Sequence, residues 1–185
     1  MMAGREWVYE VLRFWFEEAR PSQWFEKDER FDAEVRRRFL ALHEVLARQP
    51  VASLLTDERT ALAAVIVFDQ MSRNMFRGTA RAFATDAKAL KIAEAAVAQG
   101  FDCELAKDGR MFLYLPFEHA ESGPAQVRSV ALTAGLGDPA LTKWAEAHKA
   151  IVDRFGRFPH RNAVLGRAST AAEQAYLAAA PRYGQ

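Results

Sequence analysis

The sequence predicts an all-α fold of about eight helices, stacked as antiparallel hairpins within a single helical domain spanning residues 1–185. Three observations lead there. Apolar side chains recur at helical spacing from end to end, and strand-like alternation is nearly absent. Capping residues and helix stops follow one another at short intervals. No long Pro/Gly/Ser linker and no clean internal repeat divides the chain.

The elements follow in order. Trp7, Val8, Val11, Leu12 and Trp15 mark a first amphipathic helix stopped by Pro21. Asp32 is the expected cap of a second, whose Val35, Phe39, Leu42 and Leu46 keep a stripe until Gln49-Pro50. Thr56 is the expected cap of a third, with Asp57 and Glu58 in the first turn, where the helix dipole favours anions. Its Ala61 to Phe68 run is apolar on every side, which predicts a central helix covered all round. A fourth helix is expected from Thr85 to Gln99, with Gly100 as its C-terminal glycine. Between Gly109 and Glu121, Met111 to Leu115 have strand propensity; the reading adopted is a buried helical turn interrupted at Pro116. A helix from Pro124 to Ala134 follows, then one opened by Asp138-Pro139 that runs to Phe155 before Gly156. Thr170 and Glu173 form a capping box for the last helix, expected to end near Pro181.

Composition narrows the function classes. Half of the 185 residues are hydrophobic and 26% are charged, so a sizeable core is within reach. The 25 basic and 24 acidic side chains leave a net charge of +1, which argues against a nucleic-acid partner. The longest apolar run falls far short of a membrane span, and charges interrupt Met1 to Trp15, so neither a membrane nor a signal peptide is expected. A lone cysteine, Cys103, suits a reducing, cytoplasmic setting.

Two segments carry more than core. On the third helix Asp69 and Arg73 share the stripe of Leu62, Ile66 and Phe76, so a carboxylate and a guanidinium are buried together. Residues 70–85 hold Arg73, Arg77 and Arg81 with neither lysine nor acid. Residues 154–172 hold Arg154, Arg157, Arg161 and Arg167 with His160, again with neither. Arginine is a rigid donor fork matched to carboxylate or phosphate oxygens. Brought together, these segments would line an anion pocket, with His119 and Glu121 as a titratable edge.

Three stretches resemble a known family. They are Asp69-Gln70 through Arg73-Asn74 to Arg77-Gly78-Thr79-Ala80-Arg81-Ala82-Phe83-Ala84-Thr85-Asp86, then Phe112 to His119, then Arg154 to Asn162. With Trp15-Phe16 and Trp24-Phe25, they resemble the domain of unknown function 924 family over nearly the whole chain. The resemblance implies a helical fold similar to tetratricopeptide-type hairpin stacks and no established activity. The chain departs from that pattern at Met71-Ser72, where Phe-Pro is usual, and at Ala120, where serine is.

Plainer readings stand beside the sharper ones. The Asp69–Arg73 pair is equally at home as a structural ion pair. The nineteen arginines against six lysines fit a compositional bias. His148, on the stripe of Leu141, Trp144, Ile151 and Phe155, reads as a hydrogen-bonded core histidine. Trp7, Trp15, Trp24 and Trp144 read as core or hairpin packing. No metal-binding, nucleophile-elbow or phosphate-loop motif is present, so no metal is expected and the cofactor stays unknown.

The leading expectation is a pocket for a small anionic molecule, with charge from Arg73, Arg77, Arg157, Arg161 and Arg167. Asn74 and Asn162 would orient the ligand, Asp69 is a further candidate contact, and His160, then His119, are the candidates for proton transfer. The alternative is a peptide- or protein-binding module whose groove would include Arg36, Arg37 and Arg38.

Overall fold

The computed structural model describes residues 5–179, which form eight helices and no strand. Helix α1 is α-helical over Glu6–Arg13 and continues as a π-helical turn over Phe14–Glu18. Helix α2 spans Glu29–Ala47. Helix α3 runs through three segments, Glu58–Val65, the π-helical Ile66–Met71, and Ser72–Met75. Then come α4 (Asp86–Ala98), α5 (Lys107–His119), α6 (Gly123–Ala134), α7 (Pro139–Phe155) and α8 (Ala171–Ala179). None is long and apolar enough to cross a membrane. The expected stop near Pro181 lies outside the described residues.

Helix α3 is the hub. It packs against α1, α2, α4 and α5, and Ala61 through Phe68 are buried without interruption. From α3 to α7 each helix packs on the next through a short connection, so they run as hairpins. A smaller cluster of Ile151, Val152 and Phe158, with Phe155 and Tyr176, ties α8 and the segment after α7 together.

Three local expectations are corrected. Asp28, not Asp32, caps α2, accepting from the Arg30 and Phe31 amides at 2.9 and 3.0 Å. Asp32 lies one turn inside and turns to α3 instead, taking Asn74 Nδ2 at 2.7 Å and Arg77 Nε at 2.7 Å. Asp57, not Thr56, caps α3 by accepting the Thr60 amide at 2.9 Å, while the Thr56 hydroxyl donates to Asp57. Pro116 does not interrupt α5; it sits buried inside a continuous helix. The core packing of its neighbours Phe112, Leu113 and Phe117 offsets the hydrogen bond its missing N–H removes.

The π-helical turn has a further effect. The wider turn breaks the 100° spacing that placed Asp69 on one stripe with Leu62 and Ile66, and Asp69, Gln70 and Met71 are all buried in succession. A carboxylate is thereby placed in the interior beside α5.

Candidate functional site

A cavity of about 650 Å³ opens among α3, α5, α6, α7 and three connecting segments, the α1–α2 connection contributing Trp24, Phe25 and Glu26. Helix α3 contributes Gln70, Arg73 and Asn74, and the α3–α4 connection adds Arg77 and Phe83. Helix α5 contributes Glu118 and His119, helix α7 Trp144 and His148. The turn Pro159–Arg161 supplies His160 and Arg161. The two arginine-bearing segments therefore meet on one cavity.

Asp69 anchors the interior. His119 Nδ1 lies 2.8 and 2.9 Å from its two carboxylate oxygens, Arg73 Nη1 lies 3.3 Å from Oδ1, and the Gln70 amide donates to Oδ2. Burial alone would raise this carboxyl, but Arg73 and His119 hold it far below the ordinary carboxylate range. The contact assigns the His119 ring proton to Nδ1, and Nε2 makes no hydrogen bond among the described residues. Burial lowers the His119 pKa, so the ring is neutral at neutral pH.

Asp86 stands behind the arginines. Arg73 grips it with both terminal nitrogens, at 3.1 and 3.0 Å, and Arg161 Nη1 reaches the same carboxylate at 3.5 Å. Burial, with the Asp69 charge adding, raises the Asp86 pKa against the pull of Arg73. The Arg161 guanidinium lies between Phe83 and Phe158, 4.7 and 4.5 Å from their ring centroids. Its Nε is buried without a hydrogen-bond partner among the described residues. Burial and the neighbouring Arg73 draw Arg161 down to about 10, which leaves it cationic at neutral pH.

Glu118 and His148 form a second pair, with Oε1 and Nδ1 3.0 Å apart. Burial and the Asp69 charge push Glu118 up to about 8, and burial lowers His148. At neutral pH this is a close contact between neutral groups. His148 Nδ1 also lies 2.9 Å from the Trp144 carbonyl, and its ring stands 6.3 Å from that of His119. Burial and Arg161 lower His160 to about 4.

The other expected residues lie elsewhere. Arg157 clasps Glu173 at 2.7 and 2.9 Å and donates to the Ala168 carbonyl. Arg167 clasps Glu121 at 2.6 and 2.8 Å, and Asn162 bonds Arg167 and Ser169. Arg157, Asn162 and Arg167 thus stand outside the cavity lining, in the packing that shapes the segment after α7. Glu121 likewise serves that packing, accepting the Phe158 amide at 2.8 Å. Asn74 and Arg77 line the cavity but are tied to Asp32.

Asp86, Glu118, His148 and Trp144 were not expected at the site. The acid-free windows end one residue short of Asp86 and Glu173, the carboxylates that Arg73 and Arg157 clasp. Trp144, expected in packing, is 55% exposed at the cavity mouth. Glu118 carried a signal, since it directly precedes His119 in the Phe112 to His119 stretch. Among the described residues no three His, Cys, Asp or Glu side chains come together as a metal-holding group.

No curated protein matches the chain. A solved structure of a protein of unknown function from Agrobacterium tumefaciens is similar to it, with 41% identity and a TM-score of 0.87 over 92% of this chain and 96% of that one. The sequence profile of a family described as bacterial protein of unknown function, DUF924, matches residues 11–180, and the chain belongs to that family.

Proposed function

We propose that the cavity binds a small anionic molecule of the cytoplasm, with Arg161 and Arg73 as its charge-bearing contacts. One observation carries this reading. Arg73, Arg77 and Arg161 line the cavity, whereas the carboxylates that balance them, Asp69, Asp32 and Asp86, do not. Guanidinium donors face the space and their counter-charges stand behind. Of the two carboxylates that line it, Glu118 is neutral at neutral pH and offers no repelling charge, while Glu26 stands beside Trp24 and Phe25 rather than among the arginines in sequence. Arg161 is the strongest candidate, because Asp86 is already held by Arg73 and the 3.5 Å contact leaves its donors under-used.

Proton transfer on such a ligand would fall to His119. Asp69 orients it and fixes the tautomer, the arrangement that makes an imidazole a directed base. His160, drawn down to about 4, stays neutral at neutral pH and is a weak base. The alternative, a peptide-binding module, has less support. Arg36 donates to the Met75 carbonyl at 2.7 Å, Arg37 pairs with Glu34, and Arg38 pairs with Glu18.

A thermal-shift series with inorganic phosphate, simple carboxylates and nucleotides tests the reading on wild type and Arg161→Gln, with folding of the variant checked by circular dichroism. A ligand at about 100 times its Kd adds roughly 2.7 kcal/mol of stability. Stabilisation by an anion class that the variant loses is expected. The absence of any anion effect on wild type contradicts it.

A further inference from the structure

The cavity has two chemical zones, and their arrangement specifies the ligand more closely than its charge does. The inner zone holds Arg161, Arg73, Gln70 and His119, backed by the buried Asp69 and Asp86. Much of the remaining lining is apolar, from Trp24, Phe25, Met111, Leu115, Leu141 and Trp144, with Glu26 next to Phe25 in the chain. Phe25 and Trp144 come from different ends of the chain, are 58% and 55% exposed, and both line this one cavity. Single exposed aromatics need no explanation, but two large rings on one cavity form a wettable apolar face whose covering is favourable.

Volume points the same way. A space of about 650 Å³ accommodates roughly twenty waters at ~30 Å³ each, far more than an isolated carboxylate or phosphate would displace. Charge limits the head group. In the inner zone Asp69 and Asp86 stand against Arg73 and Arg161, so a head group of low charge meets the least repulsion from the carboxylates behind. The planar fork of a guanidinium matches a carboxylate in shape.

We infer that the ligand is an amphipathic monocarboxylic acid, its carboxylate on Arg161 and Arg73 and its alkyl or aryl body against Trp24, Phe25 and Trp144. The inference rests on the anion-binding reading above and goes beyond it in assigning the apolar half. The neutral Glu118 fits this occupant, since an ionised one would repel the head group.

Isothermal titration with acetate, butanoate, hexanoate, 4-phenylbutanoate and the neutral hexanamide separates the two claims. Affinity is expected to rise about fourfold for each buried methylene from acetate to hexanoate. Hexanamide is expected to bind at least tenfold more weakly than hexanoate, and Trp144→Ala, at an exposed position, should flatten the chain-length dependence. If the carboxylates bind alike whatever their length, the amphipathic assignment falls and anion binding stands. If hexanamide matches hexanoate, the anion reading falls while the apolar zone remains. If none of the five binds, both are overturned.

Discussion

Asp69 and Glu118 are buried carboxylates on neighbouring helices, and their surroundings drive them to opposite protonation states. Asp69 is surrounded by donors and stays ionised, so its stabilising contribution is present above its unfolded pKa, near 3.8, and fades as pH falls through its lower folded value. Asp69→Asn leaves Arg73 with Asp86 as its remaining carboxylate partner and releases the His119 tautomer. Urea denaturation at pH 7 should show a loss on the order of 3–5 kcal/mol, and the gap to wild type should narrow below pH 3.8. Glu118 has the reverse sign. Its folded pKa of about 8 lies above the ordinary 4.5, so the folded protein holds the proton longer and stability declines as pH rises between those values. Glu118→Gln should remove that decline in a denaturation series from pH 5 to 9. The same titration should weaken anion affinity above pH 8 in wild type, with Glu118→Gln holding its affinity across the range. A wild-type affinity unchanged from pH 6 to 9 would contradict the neutral Glu118.

At the scale of elements, the segment after α7 determines where Arg161 points. Gly156 ends α7 at φ 71°, in the left-handed region, and nothing stands near where its Cβ would be. Gly156→Ala should therefore cost about 1 kcal/mol in thermal unfolding from backbone strain alone. Beyond that turn, the Arg157–Glu173 and Arg167–Glu121 clasps hold the segment in place. The Asp138-Pro139 start, the Gly156 stop and the Thr170/Glu173 capping box were legible because each is a local backbone device. The caps at Asp28 and Asp57 were misplaced by four residues and by one, because several acidic and hydroxyl residues adjoin each start and only geometry selects among them. Pro116 was misread because tertiary packing overrode its local cost.

For the molecule as a whole, the apolar run Ala61 to Phe68 gave away the central helix, and the arginine-bearing segments pointed to a cavity that they do share. The sequence did not disclose which arginines would face it. Arg157 and Arg167 are engaged by Glu173 and Glu121, whereas Arg73 and Arg161 share Asp86, and none of these pairings follows from helical spacing. The π-helical turn that buries Asp69 was equally hidden, since periodicity assumes an even spacing. The core around that turn is closely filled, so Phe68→Ala should cost roughly 3–5 kcal/mol in urea denaturation. A change under 1 kcal/mol would mean that this region relaxes freely.

The most direct test of the central claim is a crystal structure of the protein with a bromine-labelled aryl alkanoate, the halogen located by its anomalous signal. Expected is a carboxylate within ion-pair distance of Arg161 and Arg73, with the bromine beside Trp144. Density confined to the outer surface, or an empty cavity at saturating ligand, would contradict it.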